Sequence, residues 1–128
     1  MPASKAAKQA AQFTLKHRYR PEQLLDGAFL VAHLADAKEL ICGGCGWGDE
    51  EARRLAAALE DATAQGALKA LEKLSLVSNK IGDEGMRHLG DALARGAAPA
   101  LKMLNLGQNP ASNSASQAVR DALKQRKK

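Results

Sequence analysis

One spacing, written three times, limits what this chain can fold into. Its clearest copy is Leu71-x-x-Leu74-x-Leu76-x-x-Asn79-x-Ile81, followed by Gly82-Asp83-Glu84-Gly85 and then Met86, Leu89 and Leu93. The first part alternates with the period of a strand; the second recurs with the period of a helix. The change of period falls at the glycine. Downstream, Leu101-x-x-Leu104-x-Leu106-x-x-Asn109-x-Ala111 leads to Val119 and Leu123. Upstream, Ala37-x-x-Leu40-x-Cys42-x-x-Cys45-x-Trp47 leads through Gly48-Asp49 to Ala52, Leu55 and Leu59. The key positions pair across all three copies with no gap inside the strand-turn-helix block. Extra length between the first two copies falls after Leu59, around Gln65-Gly66, where a helix-to-strand loop belongs.

This frame resembles the ribonuclease-inhibitor-like class of leucine-rich repeats, over the span from Ala37 to Leu123. The resemblance implies an α/β fold: a short leucine-rich-repeat solenoid of about three units, with parallel strands on the concave side and α-helices on the convex side. A single unit cannot bury its apolar face, so units must stack. Alternation sends Leu74 and Leu76 to one face of their strand and Lys73, Ser75 and Val77 to the other. Asn79 and Asn109 sit where the chain leaves the strand, and a carboxamide there can satisfy buried turn groups with both its donors and its acceptor. The resemblance implies a stacked asparagine ladder for them. Asp83 is expected as an N-cap with Glu84 in the first turn, Arg95 and Gly96 close that helix, and Asp49-Glu50-Glu51 repeats the start signal.

Ahead of the first copy, Pro21 is placed to open a helix running to about Leu34, with Leu24, Leu25, Ala28, Phe29 and Ala32 as its apolar stripe. It is expected to cap the first strand. The third helix begins near Asn113-Ser114, is poorer in apolar residues than the others, and suits a terminal unit. The domains expected are a basic arm over 1–20, a repeat domain over 21–123 and a basic tail over 124–128.

Charge follows those boundaries. The 128 residues carry a formal net charge of +5. Lys5, Lys8, Lys16, Arg18 and Arg20 precede Pro21 with no acid among them, and Lys124, Arg126, Lys127 and Lys128 close the chain. The repeat body is mildly acidic. The basic ends suit nucleic acid such as RNA, an acidic protein surface or anionic lipid, and Tyr19 between Arg18 and Arg20 offers a stacking group. A solvated tail is the plain alternative. The N-terminal arm reads as a disordered segment, as one ordered on a partner, or as a mitochondrial or plastid transit segment. The modest amphipathicity and the lack of arginine before Arg18 argue against the last. No apolar run approaches the length of a membrane span.

Cys42-Gly-Gly-Cys45 has the spacing of half a zinc site or of a redox pair. The register offers a plainer reading: Cys42 takes the core position of Leu76 and Leu106, Cys45 the position of Asn79. No second cysteine pair completes a zinc site, and two cysteines make no disulfide framework, so a reducing, cytoplasmic compartment is expected. The glycine-rich run 43–48 resembles a phosphate-cradling loop but lacks the lysine and Ser/Thr of a P-loop. Trp47 instead aligns with core Ile81. His17, His33 and His88 are isolated from one another, and no catalytic constellation, metal or cofactor is expected.

The function expected is therefore a non-enzymatic protein-interaction module that meets a protein partner through its outward strand positions: Glu39, Ile41 and Gly43, then Lys73, Ser75 and Val77, then Lys102 or Met103, Asn105 and Gly107. The alternative is a small structural subunit of a large ribonucleoprotein, respiratory or cytoskeletal assembly, anchored by the basic ends.

Overall fold

The computed structural model describes residues 21–126. The expected arm over 1–20 and the last two lysines lie outside the described residues. Three short strands, β1 (Glu39–Ile41), β2 (Lys73–Ser75) and β3 (Met103–Asn105), form a parallel sheet in chain order. The register pairs Leu40 with Leu74 and Leu74 with Leu104. The described helices are α1 (Gly27–His33), α2 (Asp49–Ala64), α3 (Asp83–Ala94) and α4 (Asn113–Gln125). Each helix packs on the next in chain order, as each strand does. The fold is α/β, with a row of strands facing a row of helices. Among the described residues no helix is long and apolar enough to cross a membrane.

The two rows are joined by one hydrophobic cluster. Leu40, Cys42, Leu74, Leu76 and Leu106 enter it from the strand segments; Leu55, Leu59, Leu89, Leu93, Val119 and Leu123 enter it from the helices. Cys42 and Trp47 are buried where the register puts them. Burial pushes the Cys42 thiol far above its usual range, with the neighbouring Cys45 thiol adding to the effect. Such a thiol holds its proton and packs as a small apolar group.

The backbone repeats as faithfully as the side chains. Gly44, Ser78 and Gln108 occupy equivalent turn positions and share a left-handed conformation, at φ of +67°, +60° and +60°. Leu68 and Ala98 repeat a second such position, at +62° and +49°. Left-handed backbone costs an L-residue roughly 1–2 kcal/mol, so its recurrence at non-glycine positions shows that the surrounding turn imposes it.

Two local expectations are corrected. The segment after Pro21 is not one helix: Pro21–Leu25 is a 3₁₀ turn, and α1 starts afresh after Asp26, whose side chain accepts the Ala28 N–H at 2.9 Å. The break turns the apolar face, so Leu24, Leu25, Leu30 and Leu34 are buried, Phe29 is half-buried, and Ala28 and Ala32 are exposed. Helices α2 and α3 are N-capped by Gly48 and Gly82 rather than by the aspartates that follow them. Asp49 and Asp83 are released for longer reaches. Asp49 Oδ1 accepts from Gly82 N at 2.6 Å and Gly85 N at 3.1 Å, and Asp83 Oδ1 accepts from Ser112 N at 2.7 Å. Each carboxylate thus satisfies orphan amides of the next helix start, where negative charge is favoured.

Candidate functional site

The outer face of the sheet is built from three rows. Glu39, Lys73 and Met103 stand side by side, then Ile41, Ser75 and Asn105. Val77 follows between two glycines, since an added Cβ at Gly43 would lie 3.0 Å from it and one at Gly107 3.8 Å. Val77 therefore rises above flat backbone on both sides.

The rows decide between two expected residues at one place and differ from the expectation at another. Lys102 lies just ahead of the β3 ladder, where it and Met103 both donate their N–H groups to Glu72 O at 2.9 Å. Strict alternation from the inward Leu104 gives the outward place to Met103, which is 60% exposed and is the exposed large apolar side chain among the described residues. Ser75 occupies an outward register position yet is only 4% exposed, so it adds almost no contact area. Glu39, Ile41, Lys73 and Val77 are half-buried and Asn105 is exposed. Asn105 Oδ1 is engaged locally, accepting from Gly107 N at 3.1 Å. The surface is thus shallow and mixed, with Met103 as its apolar prominence and Lys73 and Glu39 as its charged neighbours.

What holds the face in place lies directly behind its turns. Asn79 Oδ1 accepts from Cys45 N at 3.0 Å and Trp47 N at 3.1 Å, while its Nδ2 donates to Cys42 O at 2.9 Å and Leu76 O at 3.0 Å. Asn109 repeats the arrangement one unit on, accepting from Ile81 N at 3.0 Å and donating to Leu76 O and Leu106 O at 2.9 and 3.0 Å. Each carboxamide ties its own turn to the preceding one.

The basic residues separate into two kinds. Lys124 is exposed on the last turn of α4. Arg126 is half-buried instead, and its guanidinium donates to Leu93 O at 3.0 Å and to Ala97 O and Ala98 O. It closes the C-terminal end of α3, where positive charge is favoured. Lys5, Lys8, Lys16, Arg18, Arg20, Lys127 and Lys128 lie outside the described residues. Among the described residues no cluster of three or more His, Cys, Asp or Glu is placed to hold a metal ion.

Sequence reasoning missed the structural use of Asp49 and Arg126. A helix-start aspartate preceded by glycine is a signal for the first; nothing local marks the second.

No protein-family model matches the chain, and no curated protein matches it. Fourteen chains of solved structures do. One, titled "Leiomodin-1 Actin-Binding Site 2 (ABS2)", is similar over 99% of this chain and 94% of its own, with a TM-score of 0.54 and 15% sequence identity. At that identity the likeness concerns the fold.

Proposed function

We propose that this chain is a protein-interaction module built as a short leucine-rich-repeat solenoid, working by binding rather than catalysis. The parallel strands form its concave side and the helices its convex side. The observation that carries the reading is the row Glu39–Lys73–Met103: an exposed methionine held on a stiffened sheet beside a cation and a carboxylate. Met is a soft, adaptable contact residue, and Met is enriched in interface cores. The face is small, so a partner docked there alone gains modest area.

Actin is the first partner to test, because a structure of similar fold is an actin-binding segment. The test is co-sedimentation with filamentous actin and anisotropy titration with monomeric actin. Wild-type protein should bind, and Met103→Glu combined with Lys73→Glu should weaken binding at least tenfold with an unchanged melting curve. Equal binding by that variant would remove the strand face from the reading. No binding by the wild type would remove actin.

A further inference from the structure

Among the described residues the sheet order leaves β3 with a neighbour on one side only, so its other edge offers backbone donors and acceptors to an added strand. Beside that edge lies a cavity of about 170 Å³ lined by Lys102, Leu104, Arg120, Leu123 and Lys124. Its floor is apolar: Leu104 is half-buried, whereas the equivalent Leu40 and Leu74 are fully buried. Its walls are three cations, none of which forms an ion pair with another described residue. The nearest acid on the same helix, Asp121, is engaged by Gln117 at 2.9 Å.

The repeat register shows what does not fit there. Arg120 occupies the position held by Gly90 on α3, where α4 packs closely. There a Cβ built on Gly90 would already lie 3.7 Å from Val119 Cα. A long cation in place of that glycine prevents another helix from settling against α4 in the same way. The strand edge remains open beside it. A slim extended segment is the occupant that satisfies both conditions, and its charge must be negative.

We propose that the β3 edge and this groove form a docking site for an extended acidic peptide whose groove-facing residues, every second one along it, are a carboxylate, an apolar side chain and a carboxylate. The added backbone pairs with β3. Side chains two positions apart share a face, so on the side turned to the groove an apolar residue covers Leu104 while the carboxylates two positions before and after it meet Lys102, Arg120 and Lys124. The site is separate from the outward face that carries Met103.

The test uses the full chain and a fluorescein-labelled peptide of repeating Glu-Ser-Leu-Ser, with a Lys-Ser-Leu-Ser peptide of the same length as control. Anisotropy should show saturable binding of the acidic peptide and none of the basic one. K102E combined with R120E and K124E should weaken binding at least tenfold, while M103E should leave it unchanged. If the triple reversal does not fold, K102Q with K124Q should still give a measurable loss. Hydrogen exchange of the Leu104 amide, on the side of β3 opposite the Met103 N–H, should slow on binding. Failure of the wild type to bind, or equal binding by the charge variants, would overturn the proposal. So would binding without protection of β3, or equally tight binding of a single-stranded RNA, either of which would mark a plain electrostatic patch.

Discussion

The carboxamide oxygen of Asn79 lies 3.0 Å from the amide nitrogen of Cys45, a residue one whole unit earlier in the chain. With its bonds to Trp47 N and Cys42 O, this one side chain binds together two turns that share no local sequence. Asn79 is 6% exposed, so water does not substitute for it. Asn79→Leu should cost about 1–3 kcal/mol by leaving buried backbone groups unpaired. Asn109→Leu, at a half-buried turn, should cost less. Urea denaturation of both variants measures the order.

The Asp49 carboxylate should matter through a helix to which it does not belong. Asp49→Ala should cost about 0.5–2 kcal/mol, the range for losing an N-terminal capping oxygen. Gly85→Ala should also destabilise, although alanine favours helix. Its Cβ would meet Ile81 Cγ2 at 2.7 Å and Asp49 Oδ1 at 2.8 Å, displacing the same carboxylate. Thermal melts of the two single variants and the double variant should show sub-additive losses, as expected of a shared contact.

Arg126→Ala should detach the end of α4 from the end of α3. Three carbonyls lose a charged donor, and a loss of about 1–3 kcal/mol is expected. Removing Lys127 and Lys128 should leave the denaturation midpoint in place. Comparing the two tells a structural arginine from a solvated tail.

One ion pair gives a pH signature. Glu60 and Arg95 meet in a bidentate pair, with both contacts at 2.8 Å, linking α2 to the cap of α3. The hydrogen bond from Arg95 holds the Glu60 carboxyl below its usual range. A carboxyl lowered in the folded state contributes stability above the unfolded value, and that contribution is lost as pH falls through the folded value. Glu60→Gln should therefore lower the urea midpoint modestly at neutral pH and low salt. The difference from wild type should disappear in acid and shrink with added salt.

Much of the architecture was legible because period 2 gives way to period 3.6 at a glycine three times over. That register placed Cys42 and Trp47 in the core against the pull of their motifs. It also marked Asn79 as a turn residue facing buried groups. The break at Asp26 was harder to read, because a single aspartate does not exclude a continuous helix. Its combination with Gly27 was the usable sign, since an Asp side chain ahead of a small residue suits an N-cap. Met103 was legible as one of two readings beside Lys102, and counting back from Leu104 by alternation gives it the outward place. The partners of Asp49 and Arg126 were not legible. They lie about one repeat away, and only stacking brings them together. The burial of Ser75 likewise depends on what surrounds it in space and not on its own position in the pattern.

The most direct test of binding through the strand face is dissociation kinetics on immobilised actin, with two altered chains compared against wild type. Met103→Glu combined with Lys73→Glu should speed dissociation at least tenfold, because it removes contacts made in the docked complex. Deleting residues 1–20 should instead slow association and flatten its salt dependence, since charges outside the contact act mainly on encounter. The opposite pattern, with binding abolished by the deletion and wild-type dissociation in the face variant, would contradict the reading and make the sheet a passive support for the basic arm.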